Sequence, residues 1–116
     1  MKEIILNNLP KISLNEWYAG NHWTKRTKIK EQYKFIIKSQ FKEIFDKDNS
    51  YTVYYTFCFK NNPLDASNCV AMVKLIEDII FESDSYKIIE GIHIRSEKSQ
   101  FKKDYVKIHV YDKTQY

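Results

Sequence analysis

The stretch YTVYYTFCFKNNPLDASNCVAMVKLIEDIIF, residues 51–81, decides how this chain folds. Residues 51–59 are β-branched and aromatic throughout, which predicts a strand. Its odd positions Tyr51, Val53, Tyr55, Phe57 and Phe59 are all apolar. Its even positions Thr52, Tyr54, Thr56 and Cys58 are milder. The segment 60–65, KNNPLD, reads as a turn. Asp65 or Ser67 can cap the helix that follows. That helix, about 67–81, carries apolar residues on two faces, so burial on more than one side is expected.

Working outward, residues 2–7 form a short apolar strand stopped by Asn7, Asn8 and Pro10. Residues 10–22 read as a long loop holding Asn15, Tyr18, Gly20, Asn21 and His22; loops of that length are often functional. In 23–45, Ile29, Tyr33, Ile36, Ile37, Phe41, Ile44 and Phe45 recur at helical spacing. Two more strands fall at 86–95 and 104–111, joined by SEKSQFKK as an exposed hairpin loop. The order β-α-β-α-β-β predicts an α+β domain with a mixed sheet and two main helices. At 116 residues a single domain, 1–116, is the default.

Composition excludes several functions. Gly20 and Gly91 are the only glycines, too few for a glycine-cradled phosphate site. His22, His93 and His109 have no zinc-type spacing. Cys58 and Cys69 lie in apolar surroundings, which favours buried thiols over a disulfide. No apolar run approaches a spanning helix and no secretory leader is visible, so the expectation is a cytoplasmic protein without a membrane partner or small-molecule cofactor.

The net charge of +4 hides a separation. Lys25, Arg26, Lys28, Lys30, Lys34, Lys38 and Lys42 face only Glu31, so residues 25–42 are +6. Arg26, Lys30, Lys34, Lys38 and Lys42 follow at every fourth residue, a drifting stripe that can line a phosphate backbone or simply be a soluble face. Glu77, Asp78, Glu82 and Asp84 form the opposite concentration, and Asp65 joins them if the second helix folds back. Such a cluster suits Mg²⁺ or serves as a solvated helix end. The two Trp and nine Tyr can stack on unpaired bases or fill a core.

Leu64-Asp65-Ala66-Ser67-Asn68, then Lys74, Ile76-Glu77-Asp78 and Glu82-Ser83-Asp84-Ser85, resembles the RusA family of Holliday junction resolvases, phage and prophage members in particular. Ser13-Leu14-Asn15, Tyr18-Ala19-Gly20, His22-Trp23 and Lys25-Arg26 resemble the family's opening, and Asp104-Tyr105-Val106-Lys107-Ile108 its last strand. The resemblance implies a homodimeric endonuclease that uses Mg²⁺ or Mn²⁺ to cut four-way junctions or other branched DNA. It implies Asp65, Asp84 and Lys74 as catalytic residues, with Asp65 and Asp84 holding the metal and Glu77 helping. Asn68 matches the asparagine of the helix-opening motif. Asn15, His22, Lys25, Arg26, Lys28, Lys30, Lys34 and Asn68 would then touch DNA. Ser67 and Ser83 stand where the motifs usually have Asp, and Lys74 lies one turn later than the usual lysine. The alternatives are a nucleic-acid-binding module of the same fold without catalysis, and a protein-interaction or inhibitor protein.

Overall fold

In the computed structural model, which describes residues 1–18, 23–82 and 86–113, strand β2 (Tyr51–Phe59) has neighbours on both sides. The sheet has four strands in the order β1-β4-β2-β3, with β1 at Lys2–Asn7, β3 at Ile89–Lys98 and β4 at Tyr105–Asp112. β2 pairs parallel with β3 and antiparallel with β4, and β1 pairs antiparallel with β4. Three helices complete the described fold: α1 (Leu14–Tyr18), α2 (Trp23–Gln40) and α3 (Val70–Ile80), the last preceded by a 3-10 turn at Ala66–Cys69. The result is an α+β domain with one mixed sheet, as the element order predicts. No helix among the described residues is long and apolar enough to cross a membrane.

The alternation in β2 sorts its side chains as expected. Tyr51, Val53, Tyr55, Phe57 and Phe59 are all buried. Register places Val53 beside Val110, Tyr55 beside Ile108 and Phe57 beside Val106, and continues to Ile4 and Leu6 of β1. This one apolar face is covered by the helices. α3 buries Ala71, Met72, Val73, Leu75, Ile76 and Ile80, so it is enclosed on more than one side. α2 contributes Tyr33 and Ile37.

Three details differ from the expected layout. Residues 14–18 are helical, because Ser13 and Glu16 form a capping box: the Ser13 N–H donates to Glu16 Oε1 at 3.3 Å, and the Glu16 N–H donates to Ser13 Oγ at 3.0 Å. Helix α2 stops at Gln40 rather than continuing to 45. There the Gln40 amide pairs with both backbone groups of Asn7, at 2.7 and 2.9 Å, and Phe45 leaves the helix to stack on Phe81 at 4.7 Å. Ile44 is left 77% exposed, outside the apolar stripe.

The link between β3 and β4 is not a hairpin loop, since β2 lies between them. β3 is the return strand of a β-α-β unit, so the chain must step over the carboxyl end of β2 to reach β4. Asp104 secures that step. Its Oδ1 accepts from the Lys60 N–H at 2.8 Å, and its carbonyl accepts from the Asn8 N–H at 3.0 Å.

Candidate nucleic-acid interface

Helical geometry sorts the cations of α2. A row at every fourth residue drifts by about 40° per step, since four residues exceed one turn of 3.6. Lys30, Lys34 and Lys38 therefore run along one exposed flank. Followed back to Arg26, the same row turns towards the protein. The Arg26 guanidinium is half-buried, 5.6 Å from the Trp17 ring and 5.7 Å from the Tyr18 ring. It ties α2 to α1 and leaves the cationic stripe. Lys42 lies beyond the helix end. Lys25 and Lys28 are exposed on other sides of α2, and Phe35, 78% exposed, stands among the cations.

Asp65 is exposed, immediately before the 3-10 turn, beyond the carboxyl end of β2. It occupies the N-cap position but makes no side-chain capping bond; only its carbonyl accepts, from the Asn68 N–H at 2.8 Å. The preceding turn is fixed by Lys11, whose Nζ donates to the carbonyls of Asn61 and Asn62 at 3.1 Å each. Ser96 Oγ donates to the Leu64 carbonyl. Burial pushes the Cys69 thiol up to about 11. Its Ser96 hydrogen bond lowers it, and the nearby Asp65 carboxylate raises it. The 3-10 turn packs against α1 and β3, so exposed Asn15 and half-buried Asn68 belong to this end of the molecule.

Lys74 is exposed on α3, as is Asp78. Glu77 is neither solvated nor beside Asp65. It is 5% exposed, and its Oε1 accepts from the Tyr55 hydroxyl at 3.2 Å. The helix turns it inward because it follows Val73 and precedes Ile80 on the core side. Burial first, and the Glu77 carboxylate second, hold the Tyr55 hydroxyl well above its ordinary value, so it remains a donor.

Asp84 and His22 lie outside the described residues. The described neighbours of Asp84 sit at the far end of α3 from Asp65. Glu82 Oε2 accepts from Lys47 at 3.2 Å, and the Lys87 carbonyl accepts from Ser50, just before β2 begins. The 3-10 turn and α3 together run for roughly 25 Å. Among the described residues no group of three or more His, Cys, Asp or Glu side chains could hold a metal. Of the two carboxylates that the resemblance implies as metal ligands, the described residues include only Asp65.

The uncovered face of the sheet is not legible in the sequence alone. Register gathers four rungs there: Gly91–Thr52–Tyr111, His93–Tyr54–His109, Arg95–Thr56–Lys107 and Glu97–Cys58–Tyr105. The rings of Tyr54 and His93 stack at 4.2 Å within 2° of parallel, and Tyr111 meets Tyr54 edge-on at 5.5 Å. His109 Nε2 lies 2.8 Å from Glu3 Oε2. The alternation in 104–111 was visible; which strands would be neighbours was not.

No family model, no curated protein and no solved structure matches this chain.

Proposed function

We propose that this protein is a homodimeric, structure-selective endonuclease acting on branched DNA, in the manner of the RusA family. One observation supports the reading above others: the flank of Lys30, Lys34 and Lys38 is exposed, Lys25 and Lys28 are exposed on other sides of α2, and Glu31 is the one acid on that helix. Cations at this spacing suit a duplex arm, whose phosphates they would neutralise with release of counterions. Exposed Asp65 at the carboxyl end of parallel β2 occupies the region where open sheets place their ligand sites. Lys74 would offer a point charge to a phosphate.

A Mg²⁺ or Mn²⁺ ion belongs to this reading, with Asp65 and Asp84 as its ligands. A homodimer would carry two such sites across its two-fold axis, as two cuts in a symmetric junction require. Glu77, engaged with Tyr55, serves the core instead.

The test is Mn²⁺-dependent cleavage of a synthetic four-way junction. Asp65→Asn and Asp84→Asn should each abolish cutting and keep binding. Normal cutting by Asp65→Asn would refute the assignment. The second reading is a branched-DNA-binding module without catalysis. It is favoured by Ser67 at a position where an acid is usual. It predicts binding without cleavage at any metal concentration.

A further inference from the structure

We propose that the uncovered face of the sheet binds unpaired bases of single-stranded DNA, with the Tyr54–His93 stack receiving a base and Arg95 and Lys107 its phosphates. This deepens the branched-DNA reading and rests on it for the choice of DNA. The face forms a concavity of about 500 Å³.

Three features point to this occupant. The first is the stack itself. His93 sits on edge strand β3 and is exposed, and its ring lies parallel to Tyr54 of the neighbouring strand. The far side of the imidazole therefore faces away from Tyr54, beyond the sheet edge, and a base can extend the stack there. Stacking of this kind tolerates any base, because each has a π-face.

The second feature is the charge one rung along. Arg95 and Lys107 flank Thr56 on the same face, displaced from the His93–Tyr54 rung by two residues, about 6.6 Å. Neither forms an ion pair with a described residue. The carboxylates on the face are already engaged: Glu3 with His109, and Glu97 close to the Cys58 thiol at 3.7 Å. Free cations beside a ring stack suit a sugar-phosphate chain better than an apolar partner.

The third feature is Gly91. It follows a register shift in β3, and a Cβ built on it would meet the Thr52 side chain at 3.6 Å, an ordinary contact. The chain's own packing does not demand glycine there. A side chain would instead stand on the open face, in the rung beside the stack.

The experiment is fluorescence anisotropy of a labelled oligothymidylate with the full chain, alongside junction binding and cleavage. Tyr54→Ala and His93→Ala should each weaken single-strand binding about fivefold or more. Lys107→Gln should lower the salt slope by about 0.7. Gly91→Val should weaken binding while circular dichroism and melting remain those of the wild type, which separates lost contact from lost fold. Replacing Lys30, Lys34 and Lys38 with Gln should weaken duplex binding and spare the single strand. Unchanged single-strand affinity in Tyr54→Ala and Gly91→Val overturns the proposal. So does a sedimentation shift from dimer to monomer in those variants with single-strand binding intact, because a second copy would then cover the face. Junction cleavage together with indifferent sheet variants sinks this proposal and leaves the nuclease reading. Sheet-dependent single-strand binding by a protein that cuts nothing does the reverse.

Discussion

Replacing Tyr55 with Phe removes one oxygen from the centre of the protein. The Tyr55 side chain is 1% exposed and Glu77 is 5% exposed, so water does not readily take the lost donor's place. The bond spans 3.2 Å between a hydroxyl and a carboxylate. A hydrogen bond to a charged group contributes about 1.5–3 kcal/mol, and removing one partner of a buried pair leaves the other undersolvated. Phe fills nearly the same volume, so no cavity cost is added. With an unfolding entropy of roughly 2.1 cal/mol/K per residue, the loss corresponds to a fall in Tm of roughly 6–12 °C for this chain. Urea unfolding followed by circular dichroism, with a thermal melt, measures both. The double variant Tyr55→Phe/Glu77→Met should recover part of the loss, because the carboxylate that Tyr55 contacts is then gone from the core as well. Glu77→Gln should leave DNA binding unchanged. A Tyr55→Phe variant within about 0.5 kcal/mol of wild type would refute the reasoning. The other contacts of Glu77 would then be sufficient to carry it.

Further outcomes follow from the same geometry. Ser13→Ala should destabilise by about 1 kcal/mol in urea titrations, since it removes half of the α1 capping box; no change would mean that the helix is held by packing alone. Replacing Lys30, Lys34 and Lys38 with Gln should lower the salt slope of duplex binding by roughly 2–3, as three phosphate contacts require. An unchanged slope would move the duplex elsewhere. Burial raises the Cys69 thiol from 9.0 to about 11, and Tyr33 and Tyr55 also lie above their ordinary 10.0. The folded protein keeps these protons after the unfolded chain has lost them. Their contribution is therefore complete below about pH 9 and is lost as pH rises past it. Stability should hold from pH 8 to about 9 and fall from there to 11, and Cys69→Ala should flatten the first part of that fall.

The sequence by itself determined the strands and the two main helices, because their signals are local. The alternation in 51–59 names the buried face of β2 residue by residue. The spacing of Tyr33 and Ile37 names the inward side of α2. The short helix α1 was also legible, in Ser13 and Glu16, although a thirteen-residue loop is the simpler reading of that stretch. The tertiary structure decided the rest. Periodicity places Glu77 on α3 but cannot tell that Tyr55 waits opposite it. A four-residue row of cations does not say where helical drift turns Arg26 against Trp17 and Tyr18. Strand order is set by the β-α-β return, which puts β2 between β3 and β4. Only that order brings His93, Tyr54 and Arg95 together with Lys107. Side chains far apart in sequence meet through backbone pairing, and pairing depends on which surfaces the helices bury.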